Sequence, residues 1–62
     1  MSKQEMIGQL KDRVAYNMEQ RAYYESLLEK EDSAVWREMV DWFKGKIVAF
    51  NIAIEMAEEL SQ

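Results

Sequence analysis

The chain has 62 residues, of which 48% are hydrophobic and 32% are charged, a composition typical of one small globular domain. Proline, cysteine and histidine are absent, which excludes disulfide frameworks, thiolate or imidazole metal sites, triads that need histidine, and a histidine pH switch. The net charge of −4 disfavours attraction to nucleic acid or anionic lipid, so we expect a protein partner and no membrane contact. We also expect no cofactor.

The first 30 residues carry the pattern of one amphipathic helix, which we predict over about residues 3–30. Ser2 precedes Glu5 by three residues, the spacing of a capping box in which hydroxyl and carboxylate each accept a backbone amide. The apolar stripe of this helix consists of Met6, Ile7, Leu10, Val14, Tyr24 and Leu28. A second stripe on its flank consists of Tyr16, Gln20, Tyr23 and Leu27.

A polar break at about residues 31–32 precedes a second predicted helix over about residues 33–60, capped by Asp32 or Ser33. One heptad stripe of this helix consists of Trp36, Val40, Phe43, Ile47, Phe50, Ile54 and Ala57. A second strip beside it consists of Val35, Met39, Trp42, Ala49, Ala53, Met56 and Leu60. A helix that is apolar over most of its circumference is normally buried over most of it, which one partner helix cannot achieve.

The short break predicts an all-α fold, an antiparallel two-helix hairpin that forms a single domain over residues 1–62. In that register Leu10 lies opposite Ile54, and Lys3 lies near Glu58 and Glu59. Because the second strip stays uncovered, we expect self-association into a four-helix or larger bundle, most simply a dimer. The predicted interface between copies consists of Val35, Met39, Trp42, Phe43, Ala49, Ala53, Met56 and Leu60.

Polar residues interrupt the hairpin at one level. Asn17 and Arg21 lie inside the apolar stripe of the first helix, and Lys46 lies opposite them. In this register Arg21 is expected to stack on Trp42 or to pair with an acidic residue of the second helix. Two interpretations stay open: polar contacts that fix register and oligomer order, or a small anionic ligand held between helices.

A candidate partner surface consists of Tyr16, Tyr23, Leu27, Gly45, Val48 and Ile52. Aromatic side chains with polar tips are favoured where a surface is half wet. A glycine in the middle of a helix costs about 1 kcal/mol relative to alanine, so close approach of another backbone is one reason for Gly45. The alternatives are the flank of the oligomer interface for the tyrosines and an exposed, mildly kinked turn for Gly45.

Two carboxylate pairs, Glu38 with Asp41 and Glu55 with Glu58, have the i, i+3 spacing that binds Mg²⁺ in all-helical nucleotide pyrophosphatases. The two pairs are about 25 Å apart along the same helix, so a single chain cannot bring both pairs to one metal ion. We interpret them as a solvated face and expect no metal site. With only carboxylate, lysine or tyrosine available as a base, we also expect no enzymatic activity.

Two resemblances bear on function. The length, the predicted hairpin and Ser2-Lys3-Gln4-Glu5 resemble the plasmid copy-number proteins that form an antiparallel four-helix bundle and bind RNA loops. The stretch Trp42-Phe43-Lys44-Gly45-Lys46-Ile47, followed by Ala49 and Ala53, resembles the Tyr/Trp-x-x-Gly-Lys/Arg-Ile pattern of short hairpin proteins from bacteriophages and prophages. The second resemblance implies a phage or prophage origin and binding to a host factor.

We therefore predict a small, non-enzymatic, homo-oligomeric protein that acts through protein contacts, in phage–host interference. The alternative is a binder of nucleic acid or of a nucleotide at an inter-subunit cleft, using Arg21, Lys44 and Lys46; an all-helical nucleotide hydrolase comes third. No apolar run reaches the roughly 20 residues that a membrane span needs, and the N-terminal residues lack the apolar region of a signal peptide. We expect a cytoplasmic location.

Overall fold

A computed structural model, which describes residues 1–60, contains two long α-helices packed against each other. Helix α1 spans Lys3–Lys30 and helix α2 spans Ala34–Glu59, so the predicted bounds are correct to within one residue. The hairpin measures 49 × 14 × 13 Å and is therefore a rod two helices wide. Residues 61–62 of the predicted domain lie outside the described residues.

A serine caps the start of each helix. The Ser2 hydroxyl accepts the Glu5 amide at 3.1 Å, which is the first half of the predicted capping box. The Ser33 hydroxyl accepts the Trp36 amide at 3.3 Å, so Ser33 is the cap of α2. Each cap satisfies an amide that the first helical turn leaves without a partner inside the helix.

Lys3 joins the free ends of the two helices. Its Nζ atom donates to the carbonyl oxygens of Glu58, at 3.2 Å, and of Leu60, at 2.8 Å. The sequence placed Lys3 near the Glu58 and Glu59 side chains, whereas the hydrogen bonds go to the main chain. The last carbonyls of a helix lack partners inside it and carry the negative end of its dipole, so an ammonium group stabilises this end.

The half of the hairpin next to the turn is held by aromatic stacking around Tyr24, six residues before the end of α1. Its ring stacks on Phe43 with centroids 5.8 Å apart and planes 13° apart, and it lies 5.6 Å from the ring of Trp36. The buried apolar residues all belong to the first heptad stripe of α2: Val40, Phe43, Ile54 and Ala57. This stripe faces the half-buried apolar stripe of α1, as the register predicts.

Phe43 differs from its predicted placement in the interface between copies. Its side chain is 8% exposed and packs under Tyr24 inside the hairpin. The cause is its helical position, which belongs to the stripe that points at α1 and not to the neighbouring strip. Phe43 is therefore a core residue of the single chain and is not available to a second copy.

Tyr24→Ala should lower the free energy of unfolding by about 2–3 kcal/mol, because it removes the ring that lies against both Trp36 and Phe43. Tyr24→Phe keeps the ring and should change the free energy by less than about 1 kcal/mol. Urea unfolding followed by far-UV circular dichroism, at one fixed protein concentration, measures both. Equal losses in the two variants would contradict a central role for the stack.

Candidate interaction surfaces

One broad side of the hairpin, which we call the apolar side, exposes hydrophobic residues along α2. The groove between the helices on this side is lined by Met6, Leu10, Ala53, Met56, Ala57 and Leu60. Three members of the second strip predicted for α2, Ala53, Met56 and Leu60, line this groove. We call the whole strip the α2 strip: Val35, Met39, Trp42, Ala49, Ala53, Met56 and Leu60. Trp42 is 62% exposed and Met56 is 63% exposed, so α1 leaves the strip largely uncovered.

The opposite side, which we call the charged side, carries residues of both signs. Its groove is lined by Glu25, Leu28, Glu29, Arg37, Val40, Asp41 and Lys44. Arg37 also pairs with Asp32, with 3.3 Å between Nη1 and Oδ1. Charges of both signs on one face are typical of a solvated helix surface.

The flank stripe of α1 extends the apolar side. At 100° per residue, Tyr16, Tyr23 and Leu27 are rotated from the α1 core stripe in the same direction as Met6, and opposite to Glu25. Tyr16 and Tyr23 are more than half exposed, and Leu27 is half-buried. The tyrosines therefore lie on the same side of the hairpin as the α2 strip.

The other three residues of the predicted partner surface lie elsewhere. Gly45, Val48 and Ile52 are exposed on the outer face of α2, turned away from α1. A Cβ atom added to Gly45 would meet nothing within 4 Å, so no backbone approaches this glycine closely inside the hairpin. The hairpin thus divides the predicted surface into the α1 flank and the outer face of α2.

Asn17 is 2% exposed, which is unusual for an amide side chain. Its Nδ2 atom donates to the carbonyl of Arg13 at 2.7 Å, one turn earlier in α1. Its Oδ1 atom is buried without a hydrogen-bond partner. The observed bond stays within α1 and therefore does not fix the register of the two helices, and the unpaired acceptor destabilises the hairpin by about 1–3 kcal/mol.

Arg21 and Lys46 make separate contacts. The Arg21 Nε atom lies 3.6 Å from Oε1 of Glu25, one turn further along α1. Lys46, rather than Arg21, lies over the Trp42 ring, with Nζ 5.6 Å from the ring centroid. The stacking predicted for Arg21 is thus replaced by an ion pair on its own helix and a lysine–tryptophan contact on the other.

The cations of the alternative function do not converge within one hairpin. Lys44 lines the charged side, whereas Lys46 lies over Trp42 on the apolar side. Arg21 is engaged by Glu25. Lys44 and Lys46 therefore lie on different sides of a single chain.

The two carboxylate pairs are exposed along α2. Among residues 1–60, no three acidic side chains lie close enough together to hold a metal ion. In the same part of the chain, neither helix combines the length and the apolar character that a membrane crossing requires.

Asn17→Leu should raise the free energy of unfolding by about 1–2 kcal/mol, because it replaces an amide whose acceptor is buried and unpaired. Asn17→Asp should lower it by more than about 2 kcal/mol, since a buried carboxylate loses the donor to Arg13. Chemical unfolding of both variants against the parent protein tests this. A loss of stability in Asn17→Leu would contradict the conclusion that the unpaired Oδ1 atom destabilises the hairpin.

The geometry presents three exposed areas: the α2 strip with the α1 flank beside it, the outer face of α2, and the charged side. Within residues 1–60, the first of these carries the exposed large hydrophobic residues Tyr16, Tyr23, Val35, Trp42, Met56 and Leu60. Comparison of the chain with protein-family models, with curated proteins and with solved structures found no match.

Proposed function

We propose that the chain is a non-enzymatic protein that acts through protein–protein contacts, and that its first partner is a second copy of itself. The observation that carries this proposal is the exposure of the α2 strip. Val35, Trp42 and Met56 are each more than half exposed and follow one another along one side of α2, and Leu60, directly after its end, is also more than half exposed. A long, contiguous apolar surface on a small chain is typical of an interaction site.

The surface area of the hairpin supports self-association. The accessible surface is 4862 Å² for a chain of 7.4 kDa. A compact monomer of that mass exposes about 4,200 Å², so the hairpin carries an excess of about 650 Å². One partner in a standard protein–protein interface contributes about 800 Å², so burial of one such interface would bring the exposed surface of each copy to about that of a compact monomer.

The outer face of α2 remains for a partner of another kind. Gly45, Val48 and Ile52 lie there, away from the apolar side. The resemblance of residues 42–47 to phage and prophage hairpin proteins supports a host protein in the cytoplasm as that partner, with inhibition of the host factor as the biological outcome. Self-association would then present two copies of this face on one particle.

Binding of nucleic acid is the alternative that ionic strength distinguishes. A protein that neutralises phosphates on binding displaces condensed counterions from the nucleic acid. Release of these ions is less favourable at higher salt, so the affinity falls as the salt concentration rises. Two copies that each carry a net charge of −4 repel each other, so their association should strengthen as salt screens that repulsion.

Trp42→Glu should convert the associated protein into a monomer, because it places a charge in the middle of the α2 strip. Val48→Glu is the matched control: Val48 is 59% exposed, against 62% for Trp42, and lies on the outer face. Light scattering coupled to size exclusion, at micromolar concentration, measures the mass of all three proteins.

The proposal expects the parent and Val48→Glu to have at least twice the mass of one chain and Trp42→Glu to have the mass of one. A folded parent protein that is monomeric at this concentration would overturn self-association. Dissociation by both glutamates would show that charge alone, and not the position of Trp42, controls the mass.

A further inference from the structure

We propose that two copies pair through their α2 strips in an antiparallel orientation, with Trp42 of each copy packed on Ala53 of the other. This inference rests on the self-association proposed above and specifies its geometry. Two features of α2 support it: the order of large and small side chains along the strip, and the distribution of charge along the helix.

The α2 strip, with Lys46 lying between its members, consists of two interleaved heptad columns. The first column is Val35, Trp42, Ala49 and Met56, and the second is Met39, Lys46, Ala53 and Leu60. When two such helices run antiparallel, a residue of one column faces a residue of the other column. One register gives every one of these positions a partner on the second copy.

In that register the bulky and the small side chains alternate across the interface. Trp42 faces the partner copy's Ala53, and Lys46 faces the partner copy's Ala49. The remaining layers pair Met39 with Met56 and Val35 with Leu60. Each large side chain thus meets a small one or one of similar size, which is the arrangement that fills space without gaps.

The neighbouring registers pack less well. A shift by one heptad in one direction sets Ala49 against Ala53 and leaves a gap beside each. A shift by one heptad in the other direction sets Trp42 of each copy against Lys46 of the other. The two resulting layers adjoin, so four large side chains crowd the centre of the interface. Both shifts also leave strip residues at the ends without partners.

Charge favours the antiparallel over the parallel orientation. The last turns of α2 carry Glu55, Glu58 and Glu59, with no basic residue in the last turn. A parallel pair places these two acidic ends side by side. The antiparallel pair separates each of these glutamates from the same residue of the other copy by about 22–35 Å along the helix axes, well beyond the screening distance in physiological salt.

The parent chain has no cysteine, so engineered thiols report the orientation directly. The test variant is Met39→Cys combined with Met56→Cys, and the two single variants are its matched controls. Antiparallel pairing places the thiol introduced at position 39 beside the thiol at position 56 of the partner copy, whereas the same position on two copies is about 25 Å apart. Within one chain the two thiols are also about 25 Å apart along α2, so they cannot join each other.

Treatment with a thiol–thiol crosslinker much shorter than that separation should convert most of the double variant into a covalent dimer, with no larger species. The single variants should stay uncrosslinked, and denaturant should abolish the reaction. Val35→Cys combined with Leu60→Cys is a second pair from the same register and should behave alike. Helical circular dichroism verifies that each variant folds.

Every other outcome overturns the orientation. Crosslinking of a single variant would show parallel pairing. A particle of dimer mass in which neither double variant crosslinks would show that the strip packs elsewhere, for example on α1 of the partner. A monomeric mass for the parent protein would instead reject self-association itself, which separates failure of this inference from failure of the proposed function.

Discussion

The structure depends on an imbalance between its two helices: α2 is apolar over more of its circumference than α1 can cover. The core stripe of α2, which includes Val40, Phe43 and Ile54, is buried against α1. The neighbouring α2 strip projects from the same helix at an angle that α1 does not reach. Because hydrophobic burial is the main favourable term in folding, uncovered apolar surface of this extent favours association.

The hairpin is fixed by different interactions at different levels. Serine caps define where each helix begins, and Lys3 ties the far ends together through the last carbonyls of α2. Between these ends, Tyr24 stacks against Phe43 and Trp36. These contacts leave the apolar side free, so the fold of one chain and the surface offered to a second chain are specified by separate residues.

Much of the fold follows from the sequence for clear physical reasons. Two segments without proline, each preceded by a serine and separated by a short polar break, permit little besides an αα-hairpin. The burial of the first heptad stripe and the exposure of the α2 strip also follow, because helical periodicity decides which residues share a face. Phe43 was included in the predicted interface although periodicity assigns it to the first heptad stripe, and its burial follows that stripe.

The polar residues were harder to predict. Spacing places Asn17, Arg21 and Lys46 at one level of the hairpin, yet long side chains choose among several partners of similar energy. Arg21 pairs with Glu25 one turn away, Asn17 bonds its own helix, and Lys46 lies over Trp42. Contacts within one helix require no ordering of a second element, so they compete well with contacts between helices.

The most direct test of the central claim is the environment of Trp42 as a function of protein concentration. Trp36→Phe leaves Trp42 as the single tryptophan, so its fluorescence reports the α2 strip alone. The account predicts blue-shifted emission that resists acrylamide quenching at high concentration, and red-shifted, easily quenched emission on dilution. A Trp42 that is quenched as readily at every concentration as a free indole would contradict the claim that copies of this chain cover one another.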